Sequence, residues 1–201
     1  FSLAAVYLLN RSLSQKVDKR ILLYLFGAAM LLCSFLSKGF PGLYPLAVFF
    51  CYWLSYRDRY SIGTMIRDSV QFLLCTAVLF FVFFWSNEAA MSNIDQYMDI
   101  QVRASLAGER VTTARWYILK VMLQELLPML ILMALIISGR HRWKFENVKR
   151  DKEQWSLALF FFFLGLSASL PIMVSPKQLS FYIVPSLPLF ALGVSSLLAP
   201  I

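Results

Sequence analysis

Apolar residues in this chain run in continuous blocks of roughly 15 to 23 positions, near the length a helix needs to cross about 30 Å of hydrocarbon at 1.5 Å per residue. The blocks predict six membrane-crossing helices, over 21–36, 41–54, 70–85, 116–138, 155–171 and 181–199. The second is short for a full span, which points to local thinning of the bilayer or a turn dipping below the headgroups. Unbroken runs of this kind exclude a transmembrane barrel, whose strands alternate. Residues 1–10 are too few to span. They carry neither the basic region nor the small-residue cleavage site of a signal peptide, and are expected to be the last turns of a helix within a longer protein.

One segment, 86–115, breaks the pattern. Met91, Ile94, Met98, Val102 and Leu106 recur at helical spacing opposite Asp95, Asp99 and Arg103, and Gly108 offers a stop. This predicts an amphipathic helix lying in the interface. The following "GERVTTARWYILK" sets Arg110 and Arg115 where the chain re-enters the membrane, a position where arginines also snorkel to headgroups without further role.

Composition agrees with an all-α, polytopic membrane bundle forming one domain: 59% of the 201 residues are hydrophobic and 15% charged. Charge then sets orientation. "NRSLSQKVDKR", "YRDRYSIGTMIRD" and "GRHRWKFENVKRDKEQ" hold most of the lysines and arginines, and all three fall on one side of a six-crossing alternation. That side is expected to be cytoplasmic, so the net charge of +8 reflects topology more than affinity for nucleic acid. Tyr52, Trp53, Tyr56, Trp85, Trp116, Tyr117, Trp143, Trp155 and Tyr182 sit at helix ends as interfacial anchors. Cys33, Cys51 and Cys75 stand singly in apolar runs, and the lone His141 offers no transition-metal cluster. Phosphate-binding loops, dinucleotide fingerprints and nucleophile elbows are absent from the sequence.

The extracytoplasmic side receives two lysines at the mouths of apolar segments: Lys38 in "FLSKGFPGLYP" and Lys177 in "VSPKQLSFYIVPSLP". A lysine at that depth is costly unless it faces an anion. Gly39, Pro41 and Gly42 predict a tight turn that leaves the Lys38 ammonium at its surface. Pro185 and Pro188 are expected to interrupt the last helix and free backbone carbonyls beside Lys177 and Tyr182.

Taken together, the "SKG" turn, the stretch "ARWYILKVMLQELLPML" and the "K-x-x-x-x-Y-I-V-P-x-x-P" helix start resemble the GT-C glycosyltransferases, in particular the bacterial members similar to protein O-mannosyltransferases and to the aminoarabinose-lipid A transferase. The resemblance runs over roughly residues 22–198, and rests on the order and topology of three motifs. It implies a multi-pass enzyme of the cell inner membrane that moves a sugar from a polyprenyl-phosphate donor to an extracytoplasmic lipid, glycan or protein hydroxyl, with inversion. Lys38 and Tyr182 match the family motifs residue by residue. Lys177 lies one place further from Tyr182 than in the nearest relatives, and Arg110 and Arg115 are matched by region only.

The family's base is an aspartate in a first long extracytoplasmic loop; it is expected upstream of Phe1, so no catalytic base is named and an isolated 201-residue product is expected to be inactive. Glu88, Asp95, Asp99 and Glu109 lie on the correct side but read as a solvated helix face. No metal ligand set is visible, and participation of a divalent cation stays open. The alternative is a transporter or flippase for an anionic lipid or lipid-linked sugar, which would use the same cations and proline-broken helices; against it stand the lack of an inverted repeat and the expectation that no acidic residue inside a crossing couples protons or sodium.

Overall fold

The computed structural model describes residues 1–103, 116–142, 152–174 and 180–198, and all regular structure among them is helical. α1 (Ser2–Ser12) and α2 (Val17–Lys38) form an antiparallel pair. A 3₁₀ stretch, Phe40–Ala47, leads into α3 (Val48–Ser55). α4 spans Ile62–Trp85, and α5 (Glu88–Tyr97) continues as a π turn over Met98–Arg103. α6 (Tyr117–Arg142) and α7 (Lys152–Ser169) follow, then 3₁₀ turns at Leu170–Val174 and Ser180–Ile183 and the last helix, α8 (Leu187–Leu198).

Among the described residues, four helices are long and apolar enough to cross a membrane: Lys19–Lys38, Ile62–Trp85, Tyr117–Leu135 and Lys152–Ile172. Two predicted crossings are shorter apolar stretches, Phe40–Ser55 and Leu187–Leu198. The exposed faces of the long helices fit a lipid solvent, with Leu73, Leu74, Val78 and Phe81 outward on α4 and Leu123, Leu127, Ile131 and Leu135 on α6. Of the predicted anchors, Trp85 and Trp116 are 79% and 69% exposed. Tyr52 differs: it stacks on Tyr56 at 4.4 Å and meets Phe160 edge-on, so it packs as part of the core.

Side-chain caps open α4 and α5. Ser61 accepts from the Thr64 amide at 3.2 Å and opens α4, eight residues before the predicted start at 70, while Asn87 accepts from Ala90 at 3.0 Å and opens α5. The predicted interruption by Pro185 and Pro188 is corrected. Both precede or begin α8, whose first turn has no amide to lose, and the Ile183 carbonyl accepts the Ser186 amide at 2.8 Å and its hydroxyl at 2.7 Å.

Two apolar clusters hold the bundle. In the first, Tyr24, Phe49 and Phe72 from α2, α3 and α4 meet with ring centroids 5.6 to 6.1 Å apart. The second joins Ile118 and Met122 of α6 to Ile183 and Phe190. α7 and α8 approach closely because a side chain at Gly165 would fall 2.9 Å from the Phe190 ring.

The third crossing carries charge that the hydropathy pattern leaves outside it. Asp68 of α4 is 1% exposed and accepts from Arg20 of α2 at 3.2 Å, from Arg67 at 3.1 Å and from the Tyr60 hydroxyl at 2.8 Å. Arg20 also donates to the Gln15 carbonyl at 3.3 Å, so one carboxylate fastens the α1–α2 turn, α2 and the entry to α4 together. Glu125 lies exposed within the α6 span and Glu153 at the start of the α7 span, so with Asp68 they correct the expectation of crossings without acidic residues.

Candidate functional site

At the far end of α2 from this cluster, the helix closes on Lys38 and turns at Gly39. The Gly39 amide donates to the Phe35 carbonyl at 2.7 Å, and its backbone sits at φ 67°, ψ −146°, a region essentially confined to glycine. The chain after it is pinned by Ser34, whose hydroxyl donates to the Gly42 carbonyl at 2.9 Å and lies 2.6 Å from the Ser2 hydroxyl of α1. Lys38 itself is exposed, with no hydrogen bond or ion pair among the described residues. The turn is therefore tied by hydrogen bonds on both sides, and its ammonium has no partner among the described residues.

Tyr97, at the end of α5, closes over this turn. A side chain at Gly39 would lie 2.7 Å from Tyr97 Cζ and closer still to its hydroxyl, and the Tyr97 ring rests 6.1 Å from that of Phe40. Tyr182, in the 3₁₀ turn before α8, is half-buried against the second apolar cluster. Its ring packs against Phe181 at 4.6 Å. Two segments remote in sequence thus meet: the Lys38 turn and the end of α5. The Tyr97 phenol and the ammonium of the neighbouring Lys38 can both donate hydrogen bonds to an anion.

The amphipathic segment has partly the predicted form. Ile94 and Met98 are half-buried while Met91 is 51% exposed, so the face that docks is centred on Ile94, Tyr97 and Met98. Tyr97 was not among the predicted site residues; its signal is its position three residues beyond Ile94, on the same helix face, with a hydroxyl able to reach the turn. Arg110, Arg115 and Lys177, together with Gly108 and Trp143, lie outside the described residues. Among the described residues no group of three or more His, Cys, Asp or Glu side chains could hold a metal ion.

The contact between Gly39 and Tyr97 gives a direct test. Gly39→Ala forces a backbone that costs about 1–3 kcal/mol for residues with a Cβ, and also pushes the tyrosine aside. A lower unfolding midpoint is expected, with only part of the loss recovered in Gly39→Ala/Tyr97→Ala, because the second change relieves the clash and leaves the backbone strain. An unchanged midpoint in Gly39→Ala would contradict this geometry. Compared with family models, curated proteins and solved structures, the chain matches none.

Proposed function

We propose that this chain is the membrane-spanning part of a polyprenyl-phosphate-sugar-dependent glycosyltransferase, crossing the bilayer six times, with Lys38, Tyr97 and Tyr182 on the extracytoplasmic face of the cell inner membrane. The observation that supports the reading is the approach of Tyr97 to the "SKG" turn, which sets a phenol beside the motif that Lys38 matches residue by residue; Tyr182 enters through its match to the "YIVP" motif alone. In the proposed reaction an acceptor hydroxyl attacks the anomeric carbon from the face opposite the leaving group. The new C–O bond forms as the bond to the carrier phosphate breaks, the acceptor proton passes to a base outside these residues, and polyprenyl phosphate leaves with the electron pair. Charge grows on the departing oxygen, where the Lys38 ammonium and the Tyr97 phenol are proposed to stabilise it once the bound donor excludes water. Lys177, Arg110 and Arg115 are proposed to add positive charge at the same mouth.

The transporter reading draws on the acids within the candidate spans, Asp68, Glu125 and Glu153. Asp68, however, is already engaged by two guanidinium groups and a phenol, leaving no open side for a coupled cation. The deciding experiment places the full-length protein in vesicles with a radiolabelled polyprenyl-phosphate sugar and an extract of acceptors. Label in a new product with release of polyprenyl phosphate supports transfer; movement of the donor between leaflets with no product supports the transporter and overturns the enzyme.

A further inference from the structure

The cluster at the opposite end of α2 has an unbalanced charge. Arg20 and Arg67 both bind one carboxylate oxygen, at 3.2 and 3.1 Å, and the Tyr60 hydroxyl takes the other at 2.8 Å. Among the described side chains one carboxylate faces two guanidinium groups, and the positive charge left over on the half-exposed Arg67 is open to a second anion. Of the acids on this side whose side chains are described, Asp58 pairs with Lys152, and Glu153 with Arg59 at 3.5 Å. Arg20 further keeps a buried Nε without a partner. Its partner on the same carboxylate opens outward, since the Arg67 side chain is 56% exposed against 18% for Arg20 and 1% for Asp68.

The surface above Arg67 identifies the anion. Val70, Leu74 and Val78 follow it along one face of α4, 48%, 61% and 61% exposed, and Gly63 below it faces open space. From Arg67 to Val78 the helix rises about 16 Å, close to the depth of one leaflet in a core of about 30 Å. A guanidinium at the foot of an apolar track of that length matches a phosphate joined to acyl chains, which a free phosphate would leave uncovered. We propose that Arg67, backed by Arg20 and oriented by Asp68, binds the phosphate of an anionic phospholipid whose acyl chain lies along Val70, Leu74 and Val78.

The test compares phosphatidylglycerol, phosphatidylcholine and inorganic phosphate added to the full-length protein in detergent, read by native mass spectrometry for retained lipid and by the thermal unfolding midpoint. Phosphatidylglycerol is expected to be retained roughly tenfold more tightly than phosphatidylcholine and to raise the midpoint. Arg67→Gln should remove the preference and Arg67→Lys weaken it. Arg57→Gln, at a guanidinium seated 5.1 Å over the Trp53 ring, should leave it intact. Equal retention of the two lipids, a preference surviving Arg67→Gln, or an equal stabilisation by inorganic phosphate each overturns the site. Should Arg67→Gln fail to fold, the comparison of the two lipids on the unmutated protein still decides.

Discussion

Lys38→Met in the full-length protein is expected to lower the rate of sugar transfer by about 10²–10³-fold, the loss that follows removal of one preorganised donor from a developing oxyanion. The side chain is exposed and without a partner among the described residues, so its removal should leave the unfolding midpoint where it was. A fall in activity without a fall in stability separates a chemical role from a structural one. The loss should appear in kcat rather than KM, because the phosphate carries its extra charge only as the glycosidic bond breaks. Lys38→Arg keeps the charge on a longer, planar group and should restore part of the rate. Transfer at the unmutated rate in Lys38→Met would show that the ammonium does not face the leaving group, and would remove the strongest residue from the proposed site while leaving the lipid site at Arg67 untouched.

Hydropathy located the helices because each is a continuous apolar run, and a run needs no knowledge of its neighbours. It misplaced the start of α4 for the same reason. Arg67 and Asp68 lower the local average and push the predicted boundary to 70, yet the helix begins at Ile62 because Ser61 caps it and Arg20, 48 residues earlier, compensates Asp68. A pairing across that separation has no local signature. The site divides along the same line. Lys38 was legible, since a lysine beside Gly-Phe-Pro-Gly stands out from an apolar background, and so was Tyr182 from its proline-flanked motif. Tyr97 was hidden within an amphipathic repeat whose methionines and isoleucine carried the pattern; its role depends on a contact with Gly39, a residue with no side chain to announce it. Pro185 and Pro188 misled because proline breaks a helix interior but suits a first turn, and periodicity alone does not say which of the two a position will be.

Asp68→Asn is expected to destabilise the protein by about 3 kcal/mol, at the lower end of what is lost when one partner is removed from a buried ion pair, since Arg67 is more than half exposed and water screens its share. The amide keeps the shape and still accepts the Tyr60 hydroxyl, so the loss isolates charge: two guanidinium groups held close together with nothing between them to offset their repulsion. Removing the repulsion should recover much of it. In Asp68→Leu/Arg20→Leu the buried charges go together, and apolar side chains of moderate volume meet where an ion pair stood, an exchange that often proves neutral. The double variant should therefore unfold at a higher temperature than Asp68→Leu alone. A midpoint for Asp68→Asn equal to that of the unmutated protein would mean that α2 and α4 are held by the aromatic contacts of Tyr24, Phe49 and Phe72 without help from the carboxylate. Because α2 runs unbroken from the Arg20 cluster to Lys38, about 27 Å along its axis, loosening its lower end should also reduce transfer, but only in proportion to the folded protein lost. KM and the kcat of the folded fraction should stay as they were, which distinguishes Asp68, a residue that holds the helix, from Lys38, a residue proposed to meet the substrate.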